Sequence, residues 1–343
     1  MGNTESSTDF EYHIAEGSFK PIKQSKDPYF GEVTYMQSNR SNDVVLMKRR
    51  EIVDLDAYHN MIEDLSYNTS LSHENLGKIY GFTGSDTQTI LKSTSYTISI
   101  YFELLQNTLE SILQKKRLQL AQSTQKIFIE LKPSCFFDED ELFRMMAQLV
   151  DLLEYLQQNS ISHGEIRPGS CFLSLDKALK LINRRAICGG DSLYEKAKNG
   201  PGDFFLTPSA FESIGKKERE PMQNKYKADV FSLGMTLLEC ATLKKSSQIY
   251  DWNNYTINTN VLSARLAEVR QRYSVNFYEI LKIMVEFDAT KRPDFIVLKA
   301  LISNDKKVDV TILSNHIVKY LITVHIDYKK IRKKKSFFSR TWY

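Results

Sequence analysis

Residues 161–173 gather a histidine, a carboxylate, a guanidinium and a hydroxyl at close spacing: His163, Glu165, Arg167 and Ser170. A carboxylate in such a loop can accept a hydroxyl proton, provided the chain holds it within hydrogen-bond reach of its target. The thiols suggest less chemistry. Cys135, Cys171, Cys188 and Cys240 contain no CxxC pair, and no histidine cluster accompanies them. That spacing argues against zinc, and the chain is too long to need a disulfide framework, which leaves reduced, buried thiols.

The elements that must position these groups fall into two textures. Residues 1–26 are polar and lack apolar periodicity, so they are expected to be extended or mobile. Residues 29–36 and 44–48 are β-branched and aromatic, separated by a polar turn, and read as strands. Residues 54–71 mix acids and apolar side chains at helical spacing, and residues 76–82 and 97–105 read as strands again. From Asp138 the pattern becomes helical. Asp138 with Glu141 three positions on forms a capping box, and Leu142, Met145, Met146, Leu149, Leu152, Leu153 and Leu156 fall on one stripe. Two short strands follow at 171–175 and 178–182, then a glycine-rich excursion at 184–203. Helices are expected near 229–242, 262–272, 278–287 and 295–302. Residues 115–132 show no clear period and are read as an insert.

Size and composition bound the rest. The 343 residues are 42% hydrophobic and 26% charged, enough for a large core in one two-lobed domain or two closely packed ones. The net charge is +4 and is concentrated at one end. Lys329, Lys330, Arg332, Lys333, Lys334, Lys335 and Arg340 carry seven positive charges with no acid among residues 329–343. Without that tail the chain is net acidic, which excludes a nucleic-acid-binding body and leaves residues 329–335 as the contact for an anionic surface. No apolar run approaches the ~20 residues needed to span a bilayer, and residues 1–10 are too polar for a secretory signal.

Taken in order, these landmarks resemble the protein-kinase superfamily over roughly residues 29–301. The resemblance implies an α+β, bilobal fold. Residues 27–105 would form a small β-rich N-lobe and residues 106–303 a larger helical C-lobe, with 304–343 as an extension. It identifies Lys48 with the phosphate-gripping strand lysine, paired to Glu63 or Asp64 on the small-lobe helix. Gly31 and Val33 are what remains of a glycine-rich loop, in which Lys26 and Pro28 replace two glycines. Leu46 and Phe102 add bulk around the adenine slot. Glu165 stands for the catalytic Asp, one methylene longer, and a misplacement of about 1 Å can cost ~100-fold in rate. Arg167 replaces a Lys, Gly164 an Arg, and Ser170 the Asn that binds magnesium. Asn183 replaces the second metal ligand, and a neutral amide is a poor donor to hard Mg²⁺; Arg184 and Arg185 follow it.

His163, Asp229 and Arg292 match structural positions of the family. Arg292 loses its usual glutamate partner to the Thr207-Pro-Ser209 segment, which makes Glu212 the nearest acceptor by sequence. With these departures the resemblance implies a pseudokinase: no enzyme activity, no cofactor, no metal, and a scaffold or docking role. The alternatives are a structural subunit of a cytoskeletal or other large assembly, and an atypical active kinase using Lys48 and Glu165. Gly2, with Ser6, fits a myristoylation pattern. Together with residues 329–335 it suggests a cytoplasmic protein held at a membrane, or an acidic protein partner.

Overall fold

A run of β-branched and aromatic residues, broken by tight polar turns, folds into an antiparallel sheet of five strands. These are β1 (Phe19–Asp27), β2 (Gly31–Ser38), β3 (Val44–Ile52), β4 (Ile79–Gln88) and β5 (Thr94–Glu103), in the order β1-β2-β3-β5-β4. The computed structural model describes residues 14, 17–88, 94–105, 107–125, 135–174 and 178–303. It divides the chain into two compact units, residues 1–295 and 296–343.

Strand β1 begins at Phe19, inside the segment expected to be extended or mobile. Its interior side chains are exposed, as befits an edge strand, and Pro21 sits at the point where the register with β2 shifts. Helix α1 (Leu55–Ser70) is capped by Asp54, whose carboxylate accepts from the Ala57 N–H at 2.7 Å, and it buries Met61, Ile62 and Leu65. Leu46 on β3 and Phe102 on β5 are register partners, both buried in the core beneath the sheet. That core also includes Phe172, Ile182 and Ile187 from beyond the sheet, so the apolar packing continues across the cleft.

The larger part is helical. Strand β6 (Asn107–Thr108) leads into α2 (Leu109–Gln125), and α3 (Glu139–Gln158) follows. The run expected as an unassigned insert is therefore helix as far as residue 125; the rest of that insert, residues 126–132, lies outside the described residues. Asp138 and Glu141 form the capping box of α3. Strands β7 (Cys171–Leu173) and β8 (Leu179–Leu181) join β6 in a three-stranded sheet. The glycine-rich excursion is not a featureless loop. It carries α4 (Arg184–Cys188) and α5 (Leu193–Ala197), capped by the side chains of Asn183 and Ser192.

Helix α6 (Pro208–Gly215), unforeseen from the sequence, starts at a Thr207 cap with proline in its first turn. Helix α7 (Lys225–Thr242) is buried at every position from Asp229 to Thr242, which makes it the axis of this part. A small hairpin of β9 (Tyr250–Asp251) and β10 (Thr256–Ile257), then α8 (Thr259–Arg272) and α9 (Val275–Met284), complete the first unit. Helix α10 (Phe295–Ser303) begins at the last residue of that unit and carries the described part of the second. A five-strand sheet followed by a helical body is a bilobal α+β architecture. No helix among the described residues is long and apolar enough to cross a membrane.

Candidate functional site

The loop from His163 to Ser170 is held from below by α7. Asp229 accepts from the backbone N–H of His163 at 2.7 Å and of Gly164 at 2.8 Å. Its carboxylate is buried, and burial pushes it up to about 7 against the lowering effect of those two amides. Gly164 takes φ 71°, a left-handed backbone that favours glycine, and a Cβ there would meet nothing within 4 Å. The loop therefore has a fixed backbone and open space on one side. A cavity of about 400 Å³ occupies that side, lined by Gly164, Leu193, Phe205, Gln223 and Lys225 among others.

Glu165 is buried on this loop and lies between two cations. Arg167 Nη2 is 3.3 Å from its carboxylate and Lys196 Nζ 3.9 Å. Lys196, on α5, was not identified from the sequence because its segment carried no periodicity. Burial lowers its pKa, and the charge of Glu165 raises it in partial compensation.

The residues at the two metal positions have other work. Ser170 Oγ donates to the Arg167 carbonyl at 2.9 Å and accepts from the Arg167 N–H at 3.0 Å. Asn183 Oδ1 accepts from the Ala186 N–H at 3.1 Å as the cap of α4, while its Nδ2 donates to Asn68 Oδ1 at 2.8 Å. Arg184 and Arg185 come next in the chain. A hydroxyl and an amide engaged in this way, with two guanidiniums beside them, do not fit Mg²⁺, and no step below is routed through a metal.

The upper wall of the cleft differs from expectation. The β1–β2 turn is closed by Asp27, whose carboxylate accepts from the N–H of Tyr29 at 2.7 Å and of Phe30 at 2.8 Å. Gly31, at φ 72°, lets the chain turn back into β2. The turn directs two aromatic side chains into the cleft. Phe30 packs on Phe102 and Phe172, with ring centroids 4.8 and 5.7 Å away. Tyr29 meets Phe172 edge-on at 5.1 Å. The guanidiniums of Arg184 and Arg167 lie 5.4 and 5.8 Å from the Tyr29 ring centroid, and Arg184 Nε donates to the Tyr29 carbonyl at 2.9 Å. The Tyr29 hydroxyl is buried and has no hydrogen-bond partner among the described residues; burial and the charge of Glu165 both raise its pKa. Beneath the turn, Cys188 Sγ lies 3.7 Å from the Phe30 carbonyl, and burial raises that thiol too. Sequence reasoning missed Tyr29 and Phe30, although two aromatics beside Gly31, where small residues were expected, carried the signal.

Two expected pairings are corrected. Lys48 Nζ donates to the Glu32 carbonyl at 3.0 Å, while Glu63 and Asp64 are exposed on α1. Arg292 does not reach Glu212, which pairs with Lys216. It is buried, with Nε on the Glu286 carbonyl and Nη1 on the Lys227 carbonyl, each at 2.9 Å, and its guanidinium lies 4.9 Å from the Phe231 ring centroid. Backbone carbonyls replace the missing carboxylate. Val33 is buried in the core with Leu46. Gly2 and residues 329–335 lie outside the described residues.

A family model described as protein tyrosine and serine/threonine kinase matches residues 9–302. Among curated proteins, the chain is similar to serine/threonine-protein kinase Nek3 of Oryza sativa subsp. japonica, 26% identical over 162 residues, 47% of this chain and 26% of that protein. It is similar to dual specificity protein kinase zak2 of Dictyostelium discoideum, 30% identical over 118 residues, 33% of this chain and 18% of that protein. Wee1-like protein kinase 1-B of Xenopus laevis is 25% identical over 173 residues, 48% of this chain and 28% of that protein. The matched regions thus span less than a third of each relative's length. These findings correct the expectation that the chain is not an enzyme. The family and the relatives are protein kinases, and altered residues at Glu165, Ser170 and Asn183 do not by themselves amount to inactivity.

Proposed function

We propose a function on the premise that this chain belongs to the protein tyrosine and serine/threonine kinase family: it transfers a phosphoryl group to a protein hydroxyl, with Glu165 as base, from a cleft that Tyr29 and Phe30 hold closed in the state described. The acceptor hydroxyl gives its proton to the Glu165 carboxylate as its oxygen bonds to the terminal phosphorus. The bond from that phosphorus to the bridging oxygen breaks, and the nucleoside diphosphate leaves with the electron pair. Arg167 and Lys196 orient the Glu165 carboxylate, and Asp229 fixes the backbone that carries it. The observation that supports this reading most directly is the buried Glu165 carboxylate on that pinned loop. For turnover, Tyr29 must leave the cleft.

The test is phosphoryl transfer from labelled ATP to the chain itself and to a generic protein acceptor. A general base contributes about 100-fold or more, so Glu165→Gln is expected to lower turnover by at least that factor. No turnover in the wild type, or equal turnover in the variant, sinks the reading.

A docking or scaffold role beside catalysis is the second reading. It is favoured by the cavity of about 400 Å³ next to Gly164, which offers a partner's side chain a place close to the loop. Contact of residues 329–335 with an anionic membrane or an acidic protein belongs to the same reading. Vesicle sedimentation with the lysines of that run reversed in charge tests it; unchanged sedimentation rejects the contact.

A further inference from the structure

The two metal positions are filled by groups that cannot serve a hard cation, yet the cleft is rich in positive charge. Lys48 and Arg50 come from β3, Arg167 from the loop, Arg184 from α4, and Lys196 from α5. Lys48 and Arg50 lie two positions apart on β3, and Lys48 Nζ would be 3.5 Å from a Cβ on Gly31, beside the turn that carries Tyr29. Arg50 also lies against Gly189, where an added Cβ would come within 2.3 Å of its Nη2. Lys196 is influenced by Arg184, Arg167 and Arg185. Glu165 faces this set and is already shared between Arg167 and Lys196.

We infer that this cleft binds a phosphoanhydride chain without a divalent metal, its guanidinium and ammonium groups taking the neutralising part that magnesium plays in other kinases. The inference rests on the reading of the cleft as a phosphoryl-donor site. Guanidiniums suit the task because they present several donors in a fixed plane and hold their charge when partly buried. Magnesium bound to the incoming polyanion would remove charge from it and bring a cation toward Arg167 and Arg184, so here the metal weakens rather than assists. Tyr29 now covers Arg167 and Arg184 with its ring. The anion therefore competes with Tyr29 for these two cations, and binding lifts the β1–β2 turn.

The shared chemistry is a chain of linked phosphates, from a nucleoside triphosphate or from free tripolyphosphate. The experiment is titration calorimetry of the full chain with ATP and with tripolyphosphate, each in EDTA and in excess Mg²⁺. The expected result is binding in EDTA that Mg²⁺ fails to strengthen, and tighter binding to Tyr29→Ala. In the Tyr29→Ala background, where loosening of the turn no longer counts, removal of two charge-assisted partners by Arg167→Gln with Arg184→Gln weakens binding by about tenfold or more. ATP binding more tightly than tripolyphosphate marks the nucleotide as the source; equal binding marks the phosphate chain alone.

Binding that requires Mg²⁺, binding indifferent to the arginine variants, or no binding even to Tyr29→Ala overturns the inference. The two readings separate cleanly. Metal-dependent turnover lost in Glu165→Gln leaves the kinase reading standing without this one. Metal-free binding without turnover does the reverse.

Discussion

The lower and upper walls of the cleft follow different rules. Below, the His163–Ser170 loop is fixed through its backbone: two amides bond Asp229, and the Ser170 N–H donates to the Arg167 carbonyl at 2.9 Å. Above, the β1–β2 turn is fixed through side chains: Phe30 in an aromatic cluster and Tyr29 between two guanidiniums. A scaffold made of main-chain bonds tolerates replacement of the residues it carries, because the bonds do not depend on their identity. That is why the loop keeps its shape while Glu165, Arg167 and Ser170 change. The upper wall has no such independence. Its aromatic side chains determine whether the cleft is open.

Four substitutions test whether the two walls differ in this way. Arg292→Ala should have the largest effect. It leaves the half-buried Glu286 and Lys227 and the exposed Phe287 carbonyls without their donor and opens a void against Phe231, at a cost of about 3 kcal/mol or more, read as a lower midpoint in urea. A loss under about 1 kcal/mol would show that solvent replaces the guanidinium easily.

Next is Asp229→Asn, which keeps one acceptor for the two amides and should cost about 1–3 kcal/mol. It also has a pH signature. The folded carboxyl sits at about 7, above its ordinary 3.8, so the native protein holds a proton that the unfolded chain releases between those values. The stability from this group is full below 3.8, falls as pH rises through about 7, and is flat above. Thermal denaturation across that window should show the slope in the wild type and not in the variant; equal slopes reject the assignment.

Tyr29→Ala comes third, with a loss of about 1–2 kcal/mol from the ring area returned to water. Hydrogen exchange should accelerate in β1, β2 and their turn while the His163–Ser170 loop stays protected. Acceleration of both would mean that the walls are one unit. Smallest is Glu63→Ala. Exposed and not engaged with Lys48, it should change stability by less than about 0.5 kcal/mol. A larger loss would restore the Lys48–Glu63 pair that the sequence suggested.

The elements that were legible in the sequence are those whose signals are local. The capping box of α3 needs only Asp138 and Glu141, and α7 announces itself as an apolar helical run. Strand β1 was hidden because an edge strand exposes its interior side chains and has no apolar alternation to read. The caps of α4 and α5 were present as Asn183 and Ser192, but helices of five residues carry too little periodicity to confirm them. In the site, Glu165 and Asp229 were legible as residue types. The partners of Lys48 and Arg292 were not, because both are backbone carbonyls, and any residue can supply one. The inward course of Tyr29 depends on the Asp27 turn and on two arginines more than a hundred positions away, a relation that no local pattern records.

Cys188 sits under the Phe30 carbonyl with its thiol held protonated by burial. A thiol in that state reacts sluggishly with alkylating agents until the chain above it moves aside. Its modification rate is thus a clock for excursions of the β1–β2 hairpin, present in the native sequence and needing no attached probe. Cys171 and Cys240, fully buried elsewhere, would stay silent on the same timescale.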